Sequence, residues 1–203
     1  MSYLIAQARI RLGAFRNALR NLLTSTLARM GTRSVAFEPN PEVVESLRKS
    51  VKANAVGDRF QIIETALGDT DGRAKIIPDS TKADTGGAHM EVDAGGSVQV
   101  QRLDSMEARN GPFTDVSFVK IDVEGWELSV LRGMQEFLRR ERPALAIEDL
   151  PANYGTAGRY SGDLDEILRP LGYVEDPSWR ALDRFPANRF YVHPEKGNLS
   201  APK

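Results

Sequence analysis

The chain has 203 residues, 41% of them hydrophobic, enough to bury one sizeable core as a single globular unit. A formal net charge of -1 and a pI near 6.2 argue against a nucleic-acid binder. The absence of cysteine excludes a disulfide framework, a thiolate metal site and a thiol nucleophile, and a cytoplasmic setting fits.

From the start of the chain, Arg9, Arg11, Arg16, Arg20, Arg29 and Arg33 all precede the first acid, Glu38. Leu4, Ile5, Ala8, Leu12, Phe15, Leu19, Leu22, Leu23 and Met30 fall on one side of a 3.6-residue period, with Gln7, Asn17, Asn21 and Ser25 opposite. That pattern predicts a basic amphipathic helix over residues 1–33. Three uses compete for it: covering a sheet or a partner subunit, including a second copy; lying on an anionic membrane surface; or organelle targeting. An α/β domain is expected over 34–193 and a frayed tail over 194–203.

Ser34 to Glu38 reads as a strand, and Val43, Val44, Leu47 and Val51 then repeat at helical spacing to about Ala53. An acid at the end of such a strand accepts hydrogen bonds from the ribose hydroxyls of a nucleoside in dinucleotide-type folds; the alternative for Glu38 is a helix-cap acid. Phe60 to Ile63 is the next strand, followed by Ala66-Leu67-Gly68-Asp69 and the turn Thr70-Asp71-Gly72. Arg73–Pro78 and Ser97–Leu103 alternate like paired strands. The polar stretch Asp79–Gly96 between them is expected as a long loop, with His89 at its centre as a candidate base or simply a solvated histidine.

Val116, Phe118, Val119, Ile121 and Val123 form the most strongly apolar strand, and it runs out into Asp122, Glu124 and Gly125. Leu128, Val130, Leu131, Met134, Phe137 and Leu138 continue at helical spacing until Pro143. In an open parallel sheet, ligands bind beyond the carboxyl ends of the strands, which places these acids at the mouth of a site. Ala144–Ile147 repeats the device and ends in Glu148 and Asp149. Pro151–Gly162 is a loop, Leu164–Leu171 a helix started by Ser161 or Asp163, Tyr173-Val174 a short strand, and Arg189–Val192 a final antiparallel strand. Asp122, Glu148 and Asp149 offer a magnesium ligand set only weakly, since no spacing motif enforces it, and no metal is assigned.

Val35-Ala36-Phe37-Glu38-Pro39-Asn40-Pro41, Ala66-Leu67-Gly68-Asp69, Val119 to Glu127 and Leu131-Arg132-Gly133 occur in order over roughly Ser34–Asp149. Jointly they resemble the FkbM-type methyltransferases. The resemblance implies a Rossmann-like fold, S-adenosylmethionine as donor, and a hydroxyl acceptor on a sugar or natural product. By position it implies cofactor binding by Glu38, Pro39, Asn40, Ala66, Leu67 and Asp122. Asp122, Glu124, His89 and Lys120 are then the catalytic candidates, Asp122 first as base or acceptor-orienting group. The family opens with a strand and a glycine-rich turn, whereas Gly13 and Gly31 are the only glycines before Ser34. The expectation is therefore a sheet lacking its first strand. The rival reading is a degenerate methyltransferase-like subunit that binds a partner or a membrane surface.

Overall fold

A computed structural model describes residues 3–7, 31–77, 89–123, 125–149, 160–178 and 188–196. Among the described residues, eleven strands fall in two sheets. The larger contains β1 (Tyr3–Gln7), β2 (Arg33–Phe37), β3 (Phe60–Ile63), β8 (Val116–Ile121), β9 (Ala144–Glu148), β10 (Val174–Glu175) and β11 (Asn188–Val192) in the order β10-β11-β9-β8-β1-β2-β3. Neighbours are parallel except at β11, which runs against both β9 and β10. This is the expected α/β, Rossmann-like arrangement with an antiparallel end strand. The order reverses at β1, so the crevice between the ends of β1 and β8 is the switch point where such sheets bind ligands.

Strand β1 corrects the sequence reading. Tyr3–Gln7 is not the start of a helix but a strand, paired with β2 from Tyr3↔Arg33 to Gln7↔Phe37 and with β8 up to Gln7↔Ile121. The first strand is therefore present. A five-residue, largely apolar segment fits a strand as well as one turn and a half of helix, and here the two open edges of β2 and β8 decide between them. The rest of the expected amphipathic helix, residues 8–30, lies outside the described residues.

Helix α1 (Pro41–Ala53) is begun by Asn40, whose side chain accepts the Glu42 N–H at 3.0 Å, with Pro41 in the first turn. Its Val43 and Leu47 pack with Ala36, Val56 and Phe60 on one face of the sheet. Val35 and Phe37 belong instead to the main core on the other face, as alternation along β2 requires. That core gathers side chains of β8, β9, α2 (Leu103–Asn110), α3 (Glu127–Arg132), α4 (Gln135–Glu141) and α5 (Tyr160–Leu168). α2 went unread in the sequence. The single helix expected after Gly125 is two, broken at Gly133 and Met134.

The second sheet has the order β4-β7-β5-β6, from β4 (Ala66–Leu67), β7 (Val98–Gln101), β5 (Gly72–Ile77) and β6 (His89–Val92). β6 overturns part of the long loop expected over Asp79–Gly96. It pairs with β5 despite its polar composition, because pairing supplies partners for its backbone whatever its side chains are. The second sheet meets the break between α3 and α4 through bare backbone. A Cβ on Gly133 would lie 1.8 Å from the Gly68 carbonyl oxygen, and one on Gly68 would lie 3.0 Å from Trp126 Nε1 and 2.8 Å from Val100 Cγ1. The expected tail starts as a 3-10 turn, Pro194–Lys196, with Lys196 Nζ donating to the Val116 carbonyl at 2.7 Å.

Candidate active site

Register brings the acids into one row. Gln7 is level with Phe37 and Ile121, and Ile121 with Ile147, so Glu38, Asp122 and Glu148 each stand one residue beyond the same rung. Glu38 and Asp122 flank the β1 end from either side. Two strand spacings separate their backbones, about 9–10 Å. That span suits a nucleoside lying across the end of β1.

Glu38 is fully buried, and its Oε1 accepts the Asn40 N–H at 2.8 Å. Asn40, not Glu38, caps α1, which removes the helix-cap account of this acid. Pro39 and Asn40 are half-buried beside it.

At the end of β8, Lys120 Nζ sits 3.7 Å from Asp122 Oδ2 and donates to Asn188 Oδ1 on β11. Lys120 and Asp122 side chains are both about one-fifth exposed, at 21% and 20%, so water or a ligand reaches them. The chain then reverses through Gly125, whose φ of +94° favours glycine. Glu127, the first residue of α3, is 1% exposed and accepts the Val123 N–H through Oε1 at 3.0 Å. Burial pushes its carboxyl above the ordinary value; the N–H groups of Glu127, Val123 and Gly125 oppose the shift, and the Asp122 charge adds to it. Glu124 lies outside the described residues.

Beyond β9, Arg189 on β11 gathers Glu175 Oε2 at 2.6 Å, Asp165 Oδ1 at 3.1 Å and Asp149 Oδ2 at 3.8 Å. Tyr191 Oη also donates to Asp165 at 2.9 Å. Burial alone would raise the Asp165 carboxyl, but the Tyr191 hydrogen bond and the Arg189 and Arg169 charges outweigh it and hold the group below its ordinary value. Asp149 and α5 are the two ends of residues 150–159, which lie outside the described residues; the expected Pro151–Gly162 loop has given way to helix by Tyr160.

A family model for the methyltransferase FkbM domain matches residues 15–175. The chain belongs to the FkbM methyltransferase family. A solved FkbM methyltransferase from Methylobacillus flagellatus KT is similar in fold, with TM-score 0.51 at 17% identity over 94% of this chain and 43% of that one. The chain thus spans less than half the length of that relative. Weaker likenesses are the N-terminal domain of human METTL16 in complex with SAH (TM-score 0.45, 14% identity, 95% and 60% covered) and a SAM-dependent methyltransferase from Aquifex aeolicus (0.42, 11%, 94% and 80%). No curated protein matches closely enough to count as a relative.

Of the residues expected at an FkbM-type site, the structure brings Glu38, Pro39, Asn40, Asp122 and Lys120 to the carboxyl edge. His89 begins β6, an edge strand of the second sheet. Ala66 and Leu67 are wholly buried, each in a hydrophobic cluster. No group of three potential ligands that could hold a metal occurs among the described residues. Nor is any described helix long and apolar enough to cross a membrane. The sequence places Glu127 in the Val119–Glu127 motif and Arg189 at the head of the final strand without a role for either, and gives none to Asn188. The signal for Glu127 was a second acid five residues after Asp122, across the Gly125 turn; for Arg189, it was a charged residue at the head of the final strand.

Proposed function

We propose that this FkbM-family chain transfers a methyl group from S-adenosylmethionine to a hydroxyl oxygen of a small acceptor, such as a sugar or natural product. The observation that carries the reading is the row of Glu38 and Asp122 astride the end of β1. The donor supplies an electrophilic methyl on a sulfonium. Glu38 suits its ribose: the buried carboxylate is an acceptor, held in place by the Asn40 N–H, and a ribose presents two donor hydroxyls. Asp122 takes the acceptor's hydroxyl proton, with Lys120 steadying the carboxylate. Alignment and a positioned base contribute about 10² to 10⁴ in rate for the base alone.

A second reading, a donor-free subunit with the same fold, is favoured by one observation. Ala8 to Leu12, directly after β1, contain no glycine where the family's cofactor turn needs one. Calorimetric titration with S-adenosylmethionine separates the two. The enzyme reading expects saturable binding, weakened in Glu38→Ala roughly 10- to 100-fold by loss of a charge-assisted hydrogen bond at about 1.5–3 kcal/mol. No heat at millimolar donor overturns it.

A further inference from the structure

Glu127 occupies an uncommon position for a carboxyl. It is 1% exposed, its Oε1 accepts the Val123 N–H, and its buried Oε2 has no hydrogen-bond partner among the described residues. A charged carboxylate buried with one bare oxygen is costly. A neutral one costs less, because the proton resides on Oε2, Oε1 remains an acceptor, and an unpaired hydroxyl is a smaller burden than an unpaired charge. Burial and the Asp122 charge favour the neutral form and outweigh the N–H groups of Glu127, Val123 and Gly125, which favour the charged one. Asp122, five residues back, is ion-paired with Lys120 and so carries the negative charge at this strand end. Two neighbouring carboxyls ionise together only with difficulty. On α5, which packs against α3, Asp165 is engaged by Arg169, Arg189 and Tyr191.

The bond from Glu127 also fixes something specific. The Val123 N–H belongs to the peptide unit that leaves Asp122, so holding it fixes the backbone from which Asp122 projects. Gly125, with its positive φ, lets the chain fold back far enough for the contact to form. We propose that Glu127 is a positioning residue: a neutral carboxyl that grips the Val123 N–H, fixes the turn after β8 and leaves Asp122 as the charged member of the pair. Its link to catalysis rests on the reading of Asp122 as the base; its protonation state does not.

Two variants of the full chain, compared with wild type, test this. Infrared difference spectra of wild type against Glu127→Gln at neutral pH should contain the carbonyl stretch of a protonated carboxylic acid, assigned to Glu127. A difference holding only carboxylate bands overturns the neutral group. Amide exchange at Val123 should be as slow in Glu127→Gln as in wild type, since the amide oxygen accepts the same bond. In Glu127→Ala it should quicken roughly tenfold or more, the equivalent of one lost hydrogen bond. S-adenosylmethionine affinity and its pH profile should follow the same order, with Gln rescuing what Ala loses. A Gln variant as impaired as Ala overturns the positioning role, even where Ala itself folds poorly. If wild type binds no donor, the enzyme reading fails, while the infrared and exchange results still decide the state of Glu127.

Discussion

Arg189 holds Asp149, Asp165 and Glu175 at once, and its side chain is only 7% exposed, so these carboxylates share one buried counter-charge. Replacing it with methionine keeps much of the apolar volume and removes the charge. Three acids are then left crowded against one another, and breaking a buried pair in this way costs about 3–5 kcal/mol. The pH dependence has a definite sign. Asp165 has a lowered folded value, so it contributes stability above its unfolded value, about 3.9, and loses it as pH falls through the folded value. The deficit of Arg189→Met in urea denaturation should therefore be widest near neutrality and shrink below about pH 4. A deficit independent of pH would mean that packing of the guanidinium, including its stacking 5.1 Å from the Tyr191 ring centroid, carries the effect. Glu38 and Asp122 were legible because a strand that ends in an acid before a helix is a local pattern. Arg189 was not, because its three partners come from β9, α5 and β10, and no local pattern announces a contact among four elements.

At the level of elements, the joint between the second sheet and the break after α3 sets the tightest constraint. Gly133 → Ala places a Cβ against a backbone carbonyl at 1.8 Å, and the obstacle is main chain, which cannot swing aside like a side chain. The cost should reach the upper end of the usual overpacking range, about 3 kcal/mol, a fall in Tm of roughly 6–12 °C for a chain of this size. A variant melting within 2 °C of wild type, roughly the effect of 1 kcal/mol or less, would show that α3 can retreat from β4. This joint explains what sequence reading could and could not reach. Ala66-Leu67-Gly68-Asp69 and Leu131-Arg132-Gly133 stood out as motifs, yet only the fold shows that their glycines touch. The apolar positions after Gly125 predicted one helix, since periodicity ignores a break that keeps the same face buried. β6 and β1 were missed for opposite reasons: one has too little hydrophobic pattern, and the other sits inside a longer pattern with the wrong period.

For the molecule as a whole, the decisive element is β1. It lies inside the seven-stranded sheet between β8 and β2, and both of its edges carry parallel ladders. Without it, β2 and β8 would face each other across about 9–10 Å of unpaired backbone. Removing residues 1–7 should therefore abolish cooperative unfolding and leave an aggregating chain, measured by far-UV circular dichroism during thermal melting and by size-exclusion chromatography. A soluble monomer with a sharp transition would refute the interior placement of β1. The same strand accounts for the site, because the row of acids exists only where β1 spaces β2 from β8.

Trp126 lies in the turn between Asp122 and α3 and packs against the second sheet beside Gly68, with its indole nitrogen buried and unpartnered among the described residues. The chain has two tryptophans, the other being Trp179. Trp126 is therefore a built-in optical gauge against the second sheet, four residues from the proposed base. In a Trp179→Phe background its emission would report occupancy of the crevice and movement of the smaller sheet together, with no label added.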